Sequence, residues 1–160
     1  MFRPMRRKSR AISSEETHQL LHEARRGVLA VNGDDGYPYA VPINFYYDEP
    51  NQKIYFHGAH QGHKIDAMNA CDKVCFTVYG DEIVEDPDMA WAPYLKSAVV
   101  FGRCHLLGTG EENYEQMKLL SMKFYPEESI FEEGMAKEAR AVRVWAIDIE
   151  HMTGKKIREK

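Results

Sequence analysis

From Tyr55 to Cys71 the chain reads YFHGAHQGHKIDAMNAC, and the eight residues from His57 to Lys64 hold three histidines, two glycines and a lysine. Gly58 and Gly62 permit close backbone approach or a positive φ. His60, Gln61, His63 and Lys64 set donors and positive charge beside the expected start of a helix, where unpaired N–H groups and the dipole also favour an anion. The chemistry this suggests is capture of a phosphate-bearing ligand. A polar connector between a hairpin and a helix is the plain alternative. Histidines three apart also suit zinc, but neither a fourth ligand nor an orienting partner accompanies them, and no metal is expected.

The elements that must position this stretch are strands. Tyr39 to Tyr47 alternates, with Tyr39, Val41, Ile43, Phe45 and Tyr47 on one face and Ala40, Pro42, Asn44 and Tyr46 on the other. Pro42 cannot donate to a ladder, so this strand is expected at an edge, at a bulge, or open to something other than a strand. A turn over Asp48 to Gln52 returns the chain through Lys53 to Phe56, which brings Pro42-Ile43-Asn44 near Phe56-His57-Gly58. Further strands are expected over Val28 to Val31, Lys73 to Tyr79, Lys96 to Leu107 and about Ala139 to Ile149.

Helices fill the gaps. Ser13 and Glu16 have capping-box spacing ahead of Leu20, Leu21 and Ala24, with an expected stop near Arg26-Gly27. A second helix is expected from His63 to about Cys71, with Ile65, Met68 and Asn69 toward the sheet. A third is capped by Thr109 and Glu112 and packs through Tyr114, Met117, Leu120 and Phe124. A short acidic piece follows from Glu127 to Lys137. Gly80 to Leu95 reads as a long acidic loop, and Thr153-Gly154-Lys155-Lys156 as a polar tail without the spacing of a phosphate-binding loop. The fold class expected is mainly β with α: a six-stranded antiparallel split β-barrel with peripheral helices. Residues 1–12 form a basic arm, 13–152 the domain and 153–160 the tail.

Composition narrows the function classes. A chain of 160 residues makes one domain, and a formal charge of −4 argues against a general nucleic-acid binder. Arg3, Arg6, Arg7, Lys8 and Arg10 come without a recognition element, so the arm is expected to be solvated or to lie across a partner subunit. Cys71, Cys75 and Cys104 lack CxxC spacing and suit a reducing interior. No apolar run reaches membrane-spanning length and the start lacks the apolar core of a secretory signal, so a cytoplasmic location is expected.

Taken together, the segments MRRKSR, LLHEARRGVLAV, DGYPYAVPINFYY, IYFHGAHQGHKIDAM, KVCFTV, SAVVFGRCHLL and VRVWAIDIEHMTGKK cover nearly the whole chain. They resemble the flavin-binding split-barrel family related to pyridoxamine 5′-phosphate oxidase, and within it the branch that includes the nitroimidazole-resistance proteins. YPYAVP followed by YFHGAxxGHK is specific only in combination. The resemblance implies a homodimer with FMN in crevices between the protomers. It implies that Val41, Pro42, Ile43 and Asn44 line the flavin, that His57, Gly58 and Ala59 pass close to its ring and ribityl chain, and that His63 and Lys64 hold its phosphate. Arg103 is a further donor on the sheet.

Two departures matter. The oxidases carry a Ser-Arg-Lys run where this chain has Gly62-His63-Lys64, the form of the nitroimidazole-resistance branch, so one cationic role falls to a pH-sensitive imidazole. The pyridoxal-phosphate-binding arginine and histidine of the oxidases are not evident near the C-terminus, and oxidation of pyridoxamine phosphate does not carry over. The implied activity is FMN-dependent reduction of a small organic compound such as a nitroaromatic, with NADH or NADPH as reductant and His57 as the group that touches flavin or substrate and manages a proton. His57 as a neutral hydrogen-bonding partner of the strand end, a flavin-storage protein, and a haem-binding split barrel with His57, His60 or His63 as ligand are the alternatives.

Overall fold

The computed structural model describes residues 1–83, 94–138 and 142–157. Most of the expected acidic loop (84–93), the start of the expected last strand (139–141) and the final residues 158–160 lie outside them. The described chain runs α1 (Ser14–Glu23), β1 (Arg26–Asn32), β2 (Pro38–Asn44), β3 (Tyr46–Asp48), β4 (Lys53–Gly58), α2 (His63–Ala70), β5 (Lys73–Ile83), β6 (Tyr94–Leu106), α3 (Glu111–Met122), α4 (Glu128–Glu138) and β7 (Arg143–Ile157). All strand pairs are antiparallel, in the order β2-β1-β5-β6-β7-β4-β3. Only Phe45 separates β2 from β3, yet these strands form opposite edges of the sheet. The sheet must therefore curl until its edges meet at Phe45.

This corrects the expected strand number from six to seven. The run Tyr39 to Tyr47 changes partner in the middle: Asn44 still faces Arg26 of β1, whereas Tyr46 already faces Tyr55 of β4. A twisted, tilted strand that closes a small barrel holds one neighbour over its first half and the other over its second. Pro42 is tolerated because β1 is the only ladder partner of β2 among the described residues. The alternation itself holds: Ile43, Phe45 and Tyr47 are buried, Val41 and Tyr39 pack on the same core, and Ala40 and Pro42 are exposed.

The interior is filled by Leu29, Phe45, Ile54, Phe56, Phe76, Val78, Val100 and Ile147, all fully buried. α1 and α2 add Leu20, Leu21, Ile65, Ala67 and Met68 to this core; Asn69, expected to face the sheet, is exposed. On the outer face, α3 covers Tyr55, Val144 and Ala146 through Met117, and Asn113 accepts the Val144 N–H at 3.1 Å. The outer face of β2, β1, β5, β6 and β7 carries two cross-strand rows: Pro42, Val28, Thr77, Val99 and Thr153, then Ala40, Ala30, Cys75, Phe101 and His151. The N-terminal arm folds back onto the second row, with Phe2 stacked on His151 at 4.8 Å and on Phe101 at 5.5 Å. No helix among the described residues is long and apolar enough to cross a membrane.

The capping box at Ser13 and Glu16 is present in both directions at 3.0 Å. Other boundaries differ. α1 stops at Glu23 because Gly27 belongs to β1, where a Cβ would lie 2.1 Å from the Phe76 ring. α3 begins after Gly110, at φ +127°, with no side-chain cap from Thr109. The largest correction is at the C-terminus, where β7 continues to Ile157 and Thr153 to Ile157 pair with Leu95 to Val99. Residues 153–157 are sheet and not tail. Gly154 is buried there, and its place under α1 is filled by Thr17 and Ile12.

A built-on Cβ at Gly154 would stand 2.0 Å from Thr17 Oγ1 and 2.6 Å from Ile12 Cγ1. Gly154→Ala is therefore expected to lower stability by about 1–3 kcal/mol in urea unfolding, as overpacking does. An unchanged midpoint would return Gly154 to a free tail. Lys123, at the end of α3, donates to the Ala24 carbonyl at 2.6 Å and stands 3.9 Å over the Phe45 ring. Burial pushes its ammonium down to about 8, from an ordinary lysine value of 10.5. Because the folded value is the lower one, its contribution to stability is full above 10.5 and is lost as pH falls through about 8. The stability of the native chain relative to Lys123→Met should thus rise between those pH values; a flat difference would refute the buried position.

Candidate cofactor site

The β3–β4 hairpin pairs Tyr46 with Tyr55, Tyr47 with Ile54 and Asp48 with Lys53. Continued in the same register, it would set Asn44 opposite His57 and Pro42 opposite Ala59. The ladder stops before that, because β2 turns to β1 while His57 and Gly58 pair with Val144 and Arg143 of β7. β2 and β4 still approach within 8 Å between Cα atoms. Here two strand edges, Pro42–Asn44 and Phe56–Gly58, face a split with no strand between them. An open edge offers backbone N–H and C=O groups to whatever occupies it.

Side chains divide between the two sides of this split. Val41 and Ile43 point into the core, so they can offer a ligand chiefly backbone. Pro42 is exposed and Asn44 half-buried on the opposite face. His57 is exposed on the outer face beside Val144, and Ala59 and His60 are exposed. Gly58 turns the other way: a Cβ there would meet Ile65 at 3.5 Å and Lys64 Nζ at 3.7 Å.

α2 starts at Gly62, whose φ of +127° and ψ of 164° suit glycine alone. Gly62 carbonyl accepts from Ile65 and Asp66, and the first-turn N–H groups of His63 and Lys64 have no partner within the helix. The His63 ring stacks on Tyr39 at 4.1 Å, with Nε2 3.5 Å from Asp34 Oδ2. Tyr39 and Asp34 were not singled out by the sequence; the inward position of Tyr39 at the start of its strand was the available signal. Lys64 is half-buried, 5.7 Å over the Phe56 ring, and makes no hydrogen bond or ion pair with a described residue. Burial pushes its ammonium below the ordinary lysine range, partly offset by the nearby Cys104 thiol. A desolvated cation without a counter-charge is a prepared place for an anion.

Arg103 is not brought to this corner. It faces Asp148, which faces Lys53, and Gly58 lies five residues further along β4, roughly 17 Å at about 3.3 Å per residue. Its guanidinium is already held by both oxygens of Asp72, at 2.9 and 3.0 Å, and by Glu150 at 2.8 Å. Trp145 is buried in the main core. Among the described residues no three His, Cys, Asp or Glu side chains are placed to hold a metal ion.

Comparison with known proteins agrees with this fold. A candidate 5-nitroimidazole antibiotic resistance protein from Bacteroides thetaiotaomicron superimposes with a TM-score of 0.74 at 20% identity, over 91% of this chain and 86% of that one. The flavocytochrome Anf3 from Azotobacter vinelandii gives 0.78 at 20% identity, over 98% and 73%. An FAD-binding protein from Mesorhizobium loti gives 0.62 at 24% identity, over 93% and 98%. These likenesses establish the fold. No curated protein matches the chain. The sequence model of the pyridoxamine 5′-phosphate oxidase family, however, matches residues 13–156, which takes in β1 to β6 and all of β7 but Ile157, and the chain belongs to that family.

Proposed function

We propose that the protein is an FMN-dependent reductase of small organic compounds. The observation that carries this reading is Lys64: a half-buried ammonium with no counter-charge among the described residues, beside the free N–H groups of a helix start. That donor set fits a phosphate. The open edges at Pro42–Asn44 and Phe56–Gly58 fit the polar rim of a flat ring, which backbone groups can pair with as a strand would. Solved structures of the same fold are described as FAD-binding, as binding FAD and haem, and as a flavocytochrome, which favours a flavin at this site. The nitroimidazole-resistance relative favours a nitroaromatic substrate.

In this reading Lys64 and His63 bind the phosphate, Gly58 and Ala59 allow close approach, and the edge groups of Pro42 to Asn44 orient the ring. The flavin supplies the electron and hydride transfer. His57, exposed on the outer side of β4, holds or gives a proton at its imidazole. A second copy of the chain covers the outer rows that begin at Pro42 and Ala40, closing the split from water. Phe101 in those rows is 38% exposed in the single chain, where aromatic area gains from burial.

The test is direct. Purified protein should take up FMN with a flavin absorption spectrum, be bleached by NADH or NADPH, and regain colour with a nitroaromatic. No FMN uptake refutes the proposal, and uptake without bleaching by any reductant leaves a flavin-storage protein. Lys64→Ala should weaken FMN about 10–100-fold, the scale of one charge-assisted contact, while riboflavin, which lacks the phosphate, changes less than about twofold. Equal weakening of both would move Lys64 away from the phosphate.

A further inference from the structure

Beyond the split, α3 and α4 enclose a second cleft of about 220 Å³ against the first described residue before β7. Its walls are Met117, Tyr125, Ile130, Phe131, Met135 and Val142, with the Ser121 hydroxyl as a polar contact. Apart from the tyrosine phenol no lining side chain among the described residues is ionisable. Ile130 is 44% and Tyr125 57% exposed, large apolar surface left in water at the cleft's mouth. Gly134, inside α4, also lines the cleft. A glycine there costs helix stability of about 1 kcal/mol against alanine. No turn or positive φ calls for it, and nothing stands within 4 Å of where its Cβ would be. Its physical effect is to keep the cleft open.

The cleft is next to the candidate site. Val142 comes two residues before Val144, and Val144, on the outer face, pairs with His57. Two residues along a strand is about 7 Å. Met117 forms part of the cleft and also packs on the Tyr55, Val144 and Ala146 cluster, so the cleft floor continues into the surface that carries His57. The cleft is larger than the roughly 150 Å³ apolar cavity that accepts benzene.

From this we infer that the α3–α4 cleft is the binding site for the organic substrate: an uncharged molecule of one or two rings, held by methionine and aromatic surface with its reactive end toward His57. The substrate role rests on the reductase reading given above; the binding chemistry does not. Among the described residues no cation or carboxylate lines the cleft, which makes entry of a charged analogue costly, because a charge there loses hydration without gaining a partner.

The experiment labels the methionine methyl groups with carbon-13 and titrates the FMN-supplemented protein with nitrobenzene, then with 4-nitrobenzoate. Saturable shifts of the Met117 and Met135 resonances by nitrobenzene are expected, with at least about tenfold weaker binding of the benzoate. Gly134→Leu, which fills the open space and favours the helix, should weaken nitrobenzene about tenfold or more and raise its KM in parallel, with FMN affinity within about twofold of the native chain. Unmoved methyl resonances, unchanged affinity in Gly134→Leu, or a KM that does not follow the affinity would each overturn the inference. FMN uptake is read separately from the absorption spectrum, so failure of the flavin reading is distinguishable from failure of the cleft.

Discussion

One residue, Phe45, joins the two edges of the sheet, and the rest of the structure follows from that constraint. β2 and β3 are separated by a single position yet pair with β1 and β4 at opposite ends of the strand order. The sheet has to curl completely within about eleven residues of one chain segment, from Pro38 to Asp48. Phe45 is accordingly fully buried, edge-on to Phe76 at 4.8 Å and capped by Lys123 at 3.9 Å. α3 thereby holds the closure point from outside, and the Ala24 carbonyl that Lys123 also binds holds it to the end of α1.

Closure at Phe45 forces opening on its N-terminal side. A strand that has changed partners leaves its former side unpaired, and β2 and β4 diverge from that point. The split is therefore a consequence of barrel geometry and exists before any ligand is considered. The same tightness sets the glycine positions. Gly102 lies at the β6–β7 bulge, where a Cβ would be 2.3 Å from the Asp148 carbonyl, and Gly154 admits Thr17. Neither has a positive φ; both are glycine because of what packs against them.

Much of this was legible in the sequence. The alternation from Tyr39 to Tyr47 gave the inward face correctly, Ser13 with Glu16 gave the helix start, and Pro42 marked the edge. The partner change at Phe45 was not legible, since alternation reports faces and not neighbours. The length of β7 was missed because its last turn of sequence, Thr153 to Lys156, looks polar; Thr153 and Lys155 face outward, and Gly154 is inward with no side chain to signal burial. Gly62-His63-Lys64 stands out by residue type, and the structure sets Gly62 at the N-terminus of α2. The lack of a counter-charge at Lys64 among the described residues, and the saturation of Arg103 by Asp72 and Glu150, are settled by what lies near in space and not in sequence.

The contrast between those two cations bears on how a flavin would be oriented. Arg103 is exposed and neutralised by two carboxylates, so an added anion there meets net negative charge and full solvent screening. Lys64 is half-buried, its ammonium is destabilised by lost hydration, and a phosphate would restore that loss. On the proposed reading, phosphate affinity would be concentrated on the α2 side of Gly58. On the opposite side, past His57, the surface leads to the uncharged walls of Met117 and Val142. On that reading, a molecule with an anionic end and a flat, weakly polar end would be sorted by this gradient: phosphate toward Lys64, ring toward His57. Polarity across a single glycine would then decide the direction in which the ring is presented to a substrate.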